Sequence, residues 1–187
     1  MTLARGILET RFSAGVMPAG DGLILKGLAV PYGKPAQLPG FSEQFTPHSL
    51  RAACEGQDIL ALQDHDMGKL LGRTRSGTLA LHDQPDGLHF TLSLPDTERG
   101  REVYALAKRG DLGGVSIGFS DPVDEWQGRE TRIIHSARLH EISIISAHPA
   151  YGETFVEPRS RPMTDGADLA TIRAREIEIL RLQCDFS

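Results

Sequence analysis

A single serine stands between two glycines in the segment Gly114-Val115-Ser116-Ile117-Gly118. The segment fits G-x-S-x-G, the pattern of the nucleophile elbow, in which small neighbours let the backbone turn sharply and leave the serine hydroxyl exposed. An elbow follows a buried strand and opens a helix, whereas this serine follows KRGDLGG and precedes FSDPVDEW. Taken alone, the pattern therefore favours a structural serine over a nucleophile.

A serine hydroxyl becomes a good nucleophile only when a neighbouring base takes its proton. His65 is the strongest candidate for this base, because it ends the apolar, strand-like run DILALQD just before a glycine turn. We expect a strand to end there and to present the imidazole to a site. Four other histidines are interpreted as surface or satisfied core residues, namely His48, His82, His89 and His135.

Alternating apolar and polar residues, separated by turn signals, predict a mainly β domain with few helices. Strands are expected in LETRFS and DGLILKGLAVPYG, and a hairpin is expected around Gln84-Pro85-Asp86-Gly87. RIIHSA and LHEISIIS are interpreted as two further strands. Helices are predicted in TPHSLRAACEG and in TERGREVYALAKRGD, the second with Val103, Leu106 and Ala107 on one face and Gly110 at its end.

The composition changes at VEPRSRPMTDGAD, which indicates a linker before a helix in ADLATIRAREIEILRLQCDF. This helix is interpreted as packing on its own domain, with a docking or coiled-coil segment as the alternative. Arg175 interrupts the apolar seam that a coiled coil requires.

The chain of 187 residues suits one domain, and its net charge of -5 argues against nucleic-acid binding as the main activity. It shows no secretory signal and no membrane span, so we expect a cytoplasmic protein. Cys54 and Cys184 belong to no metal-ligand spacing and are interpreted as reduced thiols. A protein or peptide is the expected partner.

Five segments in order carry a family resemblance: GLAVPYG, EQFTPHSL, ILALQDHDMGKLLGRTRSGTLAL, GLHFTLSLPDTERGREVYALAKRGDLGGVSIGF and LHEISIISAHPAYGET. From about Gly27 to about Glu157 the chain resembles the tailed-phage prohead proteases, serine endopeptidases that mature capsids. Their fold is similar to that of the herpesvirus assembly proteases. The resemblance implies an α+β fold, mainly β with a few helices: a closed β-barrel surrounded by helices, plus the C-terminal helix.

The resemblance also implies the site residues. The family's histidine lies in a segment like ALQDHDMGKLLG and matches His65, and its serine matches Ser116 in GVSIGF. The third member is an acid in most phage members and a second histidine in the herpesvirus enzymes, and the strand LHEISII holds both His140 and Glu141.

Strand alternation predicts that only one of these two side chains faces His65, with Leu139, Glu141, Ser143 and Ile145 on one side and His140 on the other. Glu141 is favoured, because a carboxylate fixes the imidazole tautomer and stabilises the imidazolium. His140 is the alternative. The chain departs from the family where many relatives have a PGA-like turn and this sequence has Thr46-Pro47-His48-Ser49.

The implied reaction is acyl transfer on the scaffolding region of the major capsid protein, inside the assembling prohead in the bacterial host cytoplasm. Backbone N–H groups near Gly114 to Gly118, or in the loop from Ser146 to Ala150, are candidates for the oxyanion hole. Self-cleavage is expected between Glu157 and Asp168, which divides the chain into a protease domain at residues 1–158 and a linker and helix at residues 159–187. A homodimer is expected, with no cofactor, metal, nucleic acid or membrane.

Two other functions stay open from the sequence. One is a non-catalytic capsid scaffold or assembly protein that keeps the protease fold. The other is a metal hydrolase using Asp64, His65, Asp66 and His140, although the sequence contains no H-E-x-x-H motif.

Overall fold

The computed structural model describes residues 9–13, 16–20 and 22–147, which form two β-sheets and one α-helix. The larger sheet has seven strands: β1 (Glu9–Ser13), β4 (Ala36–Leu38), β5 (Phe41–Phe45), β6 (Leu60–Gln63), β7 (Asp66–Arg73), β10 (Gly114–Gln127) and β11 (Thr131–Ile145). The smaller sheet has four: β2 (Val16–Pro18), β3 (Ile24–Pro31), β8 (Leu79–Gln84) and β9 (Gly87–Ser93). The mainly β, α+β prediction is confirmed.

Two long antiparallel strands, β10 and β11, form the centre of the larger sheet. Strand β1 pairs with β10 on one side, while β5 and β6 both pair in parallel with the other side of β11. Strand β5 lies beside residues 131–134 and β6 beside residues 141–144. The end of β6 therefore reaches the half of β11 that holds Glu141.

One hydrophobic cluster joins the two sheets. Strand β10 contributes Val115, Ile117 and Phe119, and β9 contributes Phe90 and Leu92, all at most 1% exposed. The alternating residues of β10 that point away from this cluster include Ser116 and Gly118. The core thus fixes which side of β10 carries the serine.

Helix α1 (Glu98–Arg109) agrees with its prediction at both ends. The Thr97 side chain accepts a hydrogen bond from the Gly100 N–H at 3.2 Å, and Gly110 ends the helix in the left-handed conformation with φ 74°. Val103 and Ala107 are buried on one face, as expected for a helix that packs on a sheet. No helix in the described ranges has the length and apolar character needed to cross a membrane.

Some of the structural predictions need correction or lie outside the described residues. In those residues no closed barrel forms, because the main path of the larger sheet, β1-β10-β11-β5-β4, ends in two different strands and does not close on itself. In the part of the chain that the structure describes, the sheets are also not surrounded by helices, since α1 is accompanied there only by two short 3₁₀ turns, at Arg51–Cys54 and Thr74–Ser76. The C-terminal helix, the linker and the domain boundary at residue 158 lie outside the described residues.

RIIHSA and LHEISIIS belong to one strand, β11, and not to two. The register between β10 and β11 shifts at three places, and such shifts let a long strand bend without ending. TPHSLRAACEG forms only the 3₁₀ turn Arg51–Cys54, because His48 and Gly56 take left-handed φ values of 64° and 81° on either side of it. The predicted β8–β9 hairpin is confirmed, with Gln84 opposite Gly87.

Candidate active site

His65 lies in the two-residue turn that joins β6 to β7. Gln63 pairs with Asp66, and the two residues between them, Asp64 and His65, have φ values of 53° and 58°. Two successive left-handed residues match the strand twist in a tight hairpin. The expected glycine turn after His65 is therefore wrong in position, since the turn consists of Asp64 and His65 themselves.

Asp64 and His65 are not glycines, so their left-handed backbone is strained. Hydrogen bonds of Asp64 stabilise this conformation. Its Oδ1 accepts a hydrogen bond from the Ser146 N–H at 2.7 Å, and its Oδ2 accepts one from the Ser146 hydroxyl at 2.7 Å. The Asp64 N–H also donates to the Ile144 carbonyl at 3.1 Å. These contacts fix the His65 turn to the end of β11.

The imidazole of His65 contacts the carboxylate of Glu141. The distance from Nδ1 to Glu141 Oε1 is 2.7 Å, and the hydroxyl of Ser143 donates to Glu141 Oε2 at 2.5 Å. An ionised carboxylate accepts at both oxygens, so Nδ1 of His65 carries the proton and donates it, which leaves Nε2 as the basic nitrogen. The His65 side chain is 34% exposed, whereas that of Glu141 is 7% exposed.

Ser116 lies within β10, near its first residue, and thus neither in an elbow nor in a glycine loop. It pairs with Phe12 of β1 and with Ser143 of β11, and it is 4% exposed. Directly opposite residues of antiparallel strands point to the same face. Ser116 therefore shares a face with Ser143, whose hydroxyl oxygen also accepts a hydrogen bond from the His65 N–H at 3.2 Å.

The second glycine of the motif, Gly118, makes room for the side chain of Glu141. It lies opposite Glu141, and a Cβ atom at position 118 would lie 2.5 Å from Oε1 and 3.1 Å from Cγ of that side chain. The glycine is needed because the carboxylate passes directly over its Cα atom. On this face of β10, the serine is thus two residues away from the position covered by Glu141.

His140 is separated from this arrangement by a register shift. Gly118 is opposite Glu141 and the next residue, Phe119, is opposite Leu139, so His140 has no partner in β10. Because Gly118 and Phe119 point to opposite faces, Leu139 and Glu141 do as well, and the expected common face of those two residues is wrong. Strand alternation therefore does not choose between His140 and Glu141.

The hydrogen bonds show which of these two side chains contacts His65. Glu141 contacts His65, whereas Nε2 of His140 lies 2.7 Å from the Ser120 hydroxyl oxygen. The Ser120 hydroxyl donates its proton to Asp121 Oδ2 at 2.9 Å, so Nε2 of His140 is the donor to Ser120. This second serine-histidine contact consequently holds no base for a nucleophile.

In the two regions considered for oxyanion donors, the backbone N–H groups have different partners. Residues 114–118 pair with β11, and residues 115–119 pair with β1, so their N–H groups belong to the two ladders. In the second region the Ser146 N–H donates to Asp64, and residues 148–150 lie outside the described residues.

The four residues considered as metal ligands have separate partners. Asp64 binds Ser146, His65 binds Glu141, Asp66 accepts from the Gly68 N–H, and His140 binds Ser120. Within the part of the chain that the structure describes, no group of three potential ligands is placed to hold a metal ion. The pKa of Asp66 is lowered, first by the Gly68 N–H and then by Lys69, so this carboxylate is stabilised by exposed local contacts.

A histidine that is oriented by a buried carboxylate, on a sheet face that also holds a serine, has the residue types of a serine hydrolase. The model of the caudovirus prohead serine protease family matches residues 11–168, and the chain belongs to this family. No curated protein and no solved structure matches it. The family resemblance is confirmed, and it makes the chain a serine peptidase of phage prohead maturation; the likeness to herpesvirus assembly proteases stays a prediction.

One residue of the site was not given a role from the sequence. Ser143 contacts both His65 and Glu141 and lies opposite Ser116. The available signal was its spacing, since it follows Glu141 by two residues on a strand, as Gly118 follows Ser116.

Proposed function

We propose that Ser116 is the nucleophile of this peptidase, His65 its general base and Glu141 the residue that orients the base. The observation that carries the proposal is the 2.7 Å hydrogen bond from His65 Nδ1 to Glu141, on the sheet face that also holds Ser116. It leaves the Nε2 atom of His65 as the basic nitrogen, which is the role that acyl transfer requires.

The distances in the sheet support this assignment. Cβ atoms of directly opposite residues in antiparallel strands lie about 4.5–5.5 Å apart. Ser116 is therefore the direct neighbour of Ser143, which in turn contacts His65. Among the described residues Ser116 and His65 share no hydrogen bond. Such bonds often form only when the substrate is bound.

In the proposed reaction His65 Nε2 takes the proton of the Ser116 hydroxyl while the serine oxygen attacks the scissile carbonyl carbon. The same nitrogen then donates this proton to the leaving amine, and the C–N bond breaks. Water, deprotonated by His65, attacks the acyl-enzyme ester and releases the acid and the free serine. The Glu141 carboxylate stabilises the imidazolium that forms in both steps.

The proposed substrate is the scaffolding region of the major capsid protein, cut inside the prohead in the bacterial host. The chain is proposed to cut itself between Glu157 and Asp168 and to act as a homodimer. Family membership supports action on capsid proteins in the assembling capsid. A scaffold that keeps the fold without catalysis is the second function that the experiment below must separate from this one.

The test is coexpression of the full chain with its cognate capsid protein, followed by intact mass measurement of both. Ser116→Ala and His65→Ala are expected to abolish cleavage of capsid protein and of the protease itself. Ser120→Ala is the matched control, because Ser120 is equally buried at 4% and contacts His140 instead of His65. Full cleavage in Ser116→Ala would remove the serine from the mechanism, and absence of cleavage in the wild-type chain would favour the scaffold.

The third residue is tested in the same system. Glu141→Gln is expected to reduce cleavage strongly, because a neutral amide neither fixes the Nδ1–H tautomer nor stabilises the imidazolium. His140→Gln is expected to retain cleavage. The opposite result in this pair would assign the role to His140.

A further inference from the structure

Ser143 closes a ring of hydrogen bonds around the base. Its hydroxyl oxygen accepts from the His65 N–H at 3.2 Å and donates its own proton to Glu141 Oε2 at 2.5 Å. Glu141 Oε1 then accepts from His65 Nδ1 at 2.7 Å. One hydroxyl thus connects the backbone of the base with the carboxylate that orients its ring.

The position of Ser143 makes this connection rigid. The residue has no exposed surface and lies in β11 between β10 and β6, paired with Ser116 on one side and Leu62 on the other. His65, in contrast, lies at the tip of a left-handed turn with a partly exposed side chain. A contact from a rigid strand to a turn fixes the turn.

Ser143 is also excluded as a second nucleophile. A hydroxyl has one proton to donate, and the short contact to Glu141 Oε2 uses it. The oxygen in turn accepts from the His65 backbone, and the residue is buried.

We infer that Ser143 is a positioning residue, which holds the Glu141 carboxylate and the His65 turn so that Nδ1 keeps its proton and Nε2 faces Ser116. The inference rests on the proposed roles of Ser116 and His65. By occupying Oε2, the hydroxyl leaves Oε1 for the imidazole. Without it Oε2 loses this donor, and the carboxylate is oriented by its contact with the imidazole and no longer by β11.

The test compares Ser143→Ala, Ser143→Thr and the control Ser120→Ala in the full chain. Thr keeps the hydroxyl, Ala removes it, and Ser120→Ala removes a buried hydroxyl of β10 that contacts His140. The first measurement is the nitrogen chemical shifts of the His65 imidazole, which report the tautomer without any activity. The second is the rate at which diisopropyl fluorophosphate phosphorylates Ser116 with loss of fluoride, followed by intact mass and divided into a maximal rate and a half-saturating concentration.

We expect Ser143→Ala to lose the Nδ1–H tautomer preference and to lower the maximal rate on the order of tenfold, the effect of one charge-assisted hydrogen bond. The half-saturating concentration is expected to change little. Ser143→Thr and Ser120→Ala are expected to behave like the wild-type chain.

An unchanged tautomer and rate in Ser143→Ala would overturn the inference. So would a folded Ser143→Thr, as judged by its melting temperature, that is as impaired as Ser143→Ala. Phosphorylation by diisopropyl fluorophosphate that is insensitive to His65→Ala would instead contradict the proposed function, and the tautomer measurement would still decide the role of Ser143.

Discussion

Gly118 and Glu141 face each other across β10 and β11, and the Glu141 carboxylate occupies the space that a side chain at position 118 would need. The glycine of the G-x-S-x-G segment therefore serves a close approach between two strands. The orientation of the carboxylate toward His65 depends on this space.

Gly118→Ala is accordingly expected to abolish proteolysis with little loss of fold. The new Cβ would lie 2.5 Å from Glu141 Oε1, so the carboxylate must move away and lose the position it has beside Nδ1 of His65. Cleavage of coexpressed capsid protein and circular dichroism of the purified variant measure the two effects.

Gly68→Ala is the matched control, since Gly68 lies in the same hairpin as His65. The Cβ atom added there would have the Asp66 carboxylate oxygen as its nearest neighbour, at 3.2 Å. This variant is expected to retain activity. Equal activity of Gly118→Ala and the wild-type chain would show that the space above position 118 is not needed.

The sequence was sufficient for most strands, for helix α1 and for the residues that meet at the site. His65 and Glu141 lie 76 positions apart, and their contact follows from the parallel pairing of β6 with β11. Periodicity within one segment cannot give that pairing. The family resemblance indicates the two residues, but not the strand pairing that brings them together.

The errors have physical causes of the same kind. His140 is unpaired because of a register shift between β10 and β11, and the pattern of LHEISII alone does not indicate such a shift. His48 was expected in a helical segment, but its left-handed backbone is held by a 2.6 Å contact from its ring to Asp83, which is distant in sequence. In both places tertiary contacts override local propensity.

Among the described residues, Arg132 is predicted to be the most costly cation to remove. It is 2% exposed and donates to Glu9 at 2.6 Å, to Glu43 at 3.0 Å and also to Asp124. Burial alone lowers the pKa of Arg132, but its contacts with Glu9 and Asp124 outweigh burial and raise that pKa. Arg132→Met leaves buried carboxylates without this partner and is expected to cost about 3–5 kcal/mol of unfolding free energy, measured with urea.

Arg109→Ala serves as the comparison, because the Arg109 side chain is 73% exposed in its ion pair with Asp111. Its expected effect is within about 0.5 kcal/mol. Similar unfolding midpoints for the two variants would mean that the buried ion cluster contributes no more than a surface pair.

Ser49→Ala is predicted to stabilise the fold. The Ser49 hydroxyl oxygen is buried, and among the described residues no side chain or backbone group hydrogen-bonds to it. Removing a buried unsatisfied polar group recovers its desolvation cost, about 1 kcal/mol or more. Urea unfolding of Ser49→Ala beside Ser120→Ala, which loses a satisfied hydroxyl, should give shifts of opposite sign; destabilisation by both would contradict the prediction.

Asp83 is predicted to contribute to stability in acid. Burial of the carboxyl raises its pKa, but hydrogen bonds from His48, Tyr32 and Arg51 outweigh burial, and the net pKa in the folded protein is lowered. A lowered folded pKa means that the contribution is complete above the unfolded pKa of about 4 and is lost as the pH falls through the folded value. Asp83→Asn should therefore reduce stability at pH 6 and flatten its decline below pH 4, measured by urea unfolding across this range.

Tyr32, which donates a hydrogen bond to Asp83, is predicted to affect stability at alkaline pH. Burial raises the pKa of its phenol, and the Asp83 carboxylate, which accepts its proton at 2.9 Å, raises that pKa further. A raised folded pKa gives stability that is complete below the unfolded pKa of about 10 and is lost as the pH rises toward the folded value. Tyr32→Phe should consequently weaken the fold at pH 8 and show a smaller further loss above pH 10 than the wild-type chain. An identical alkaline slope in the two proteins would show that the phenol does not ionise in this transition.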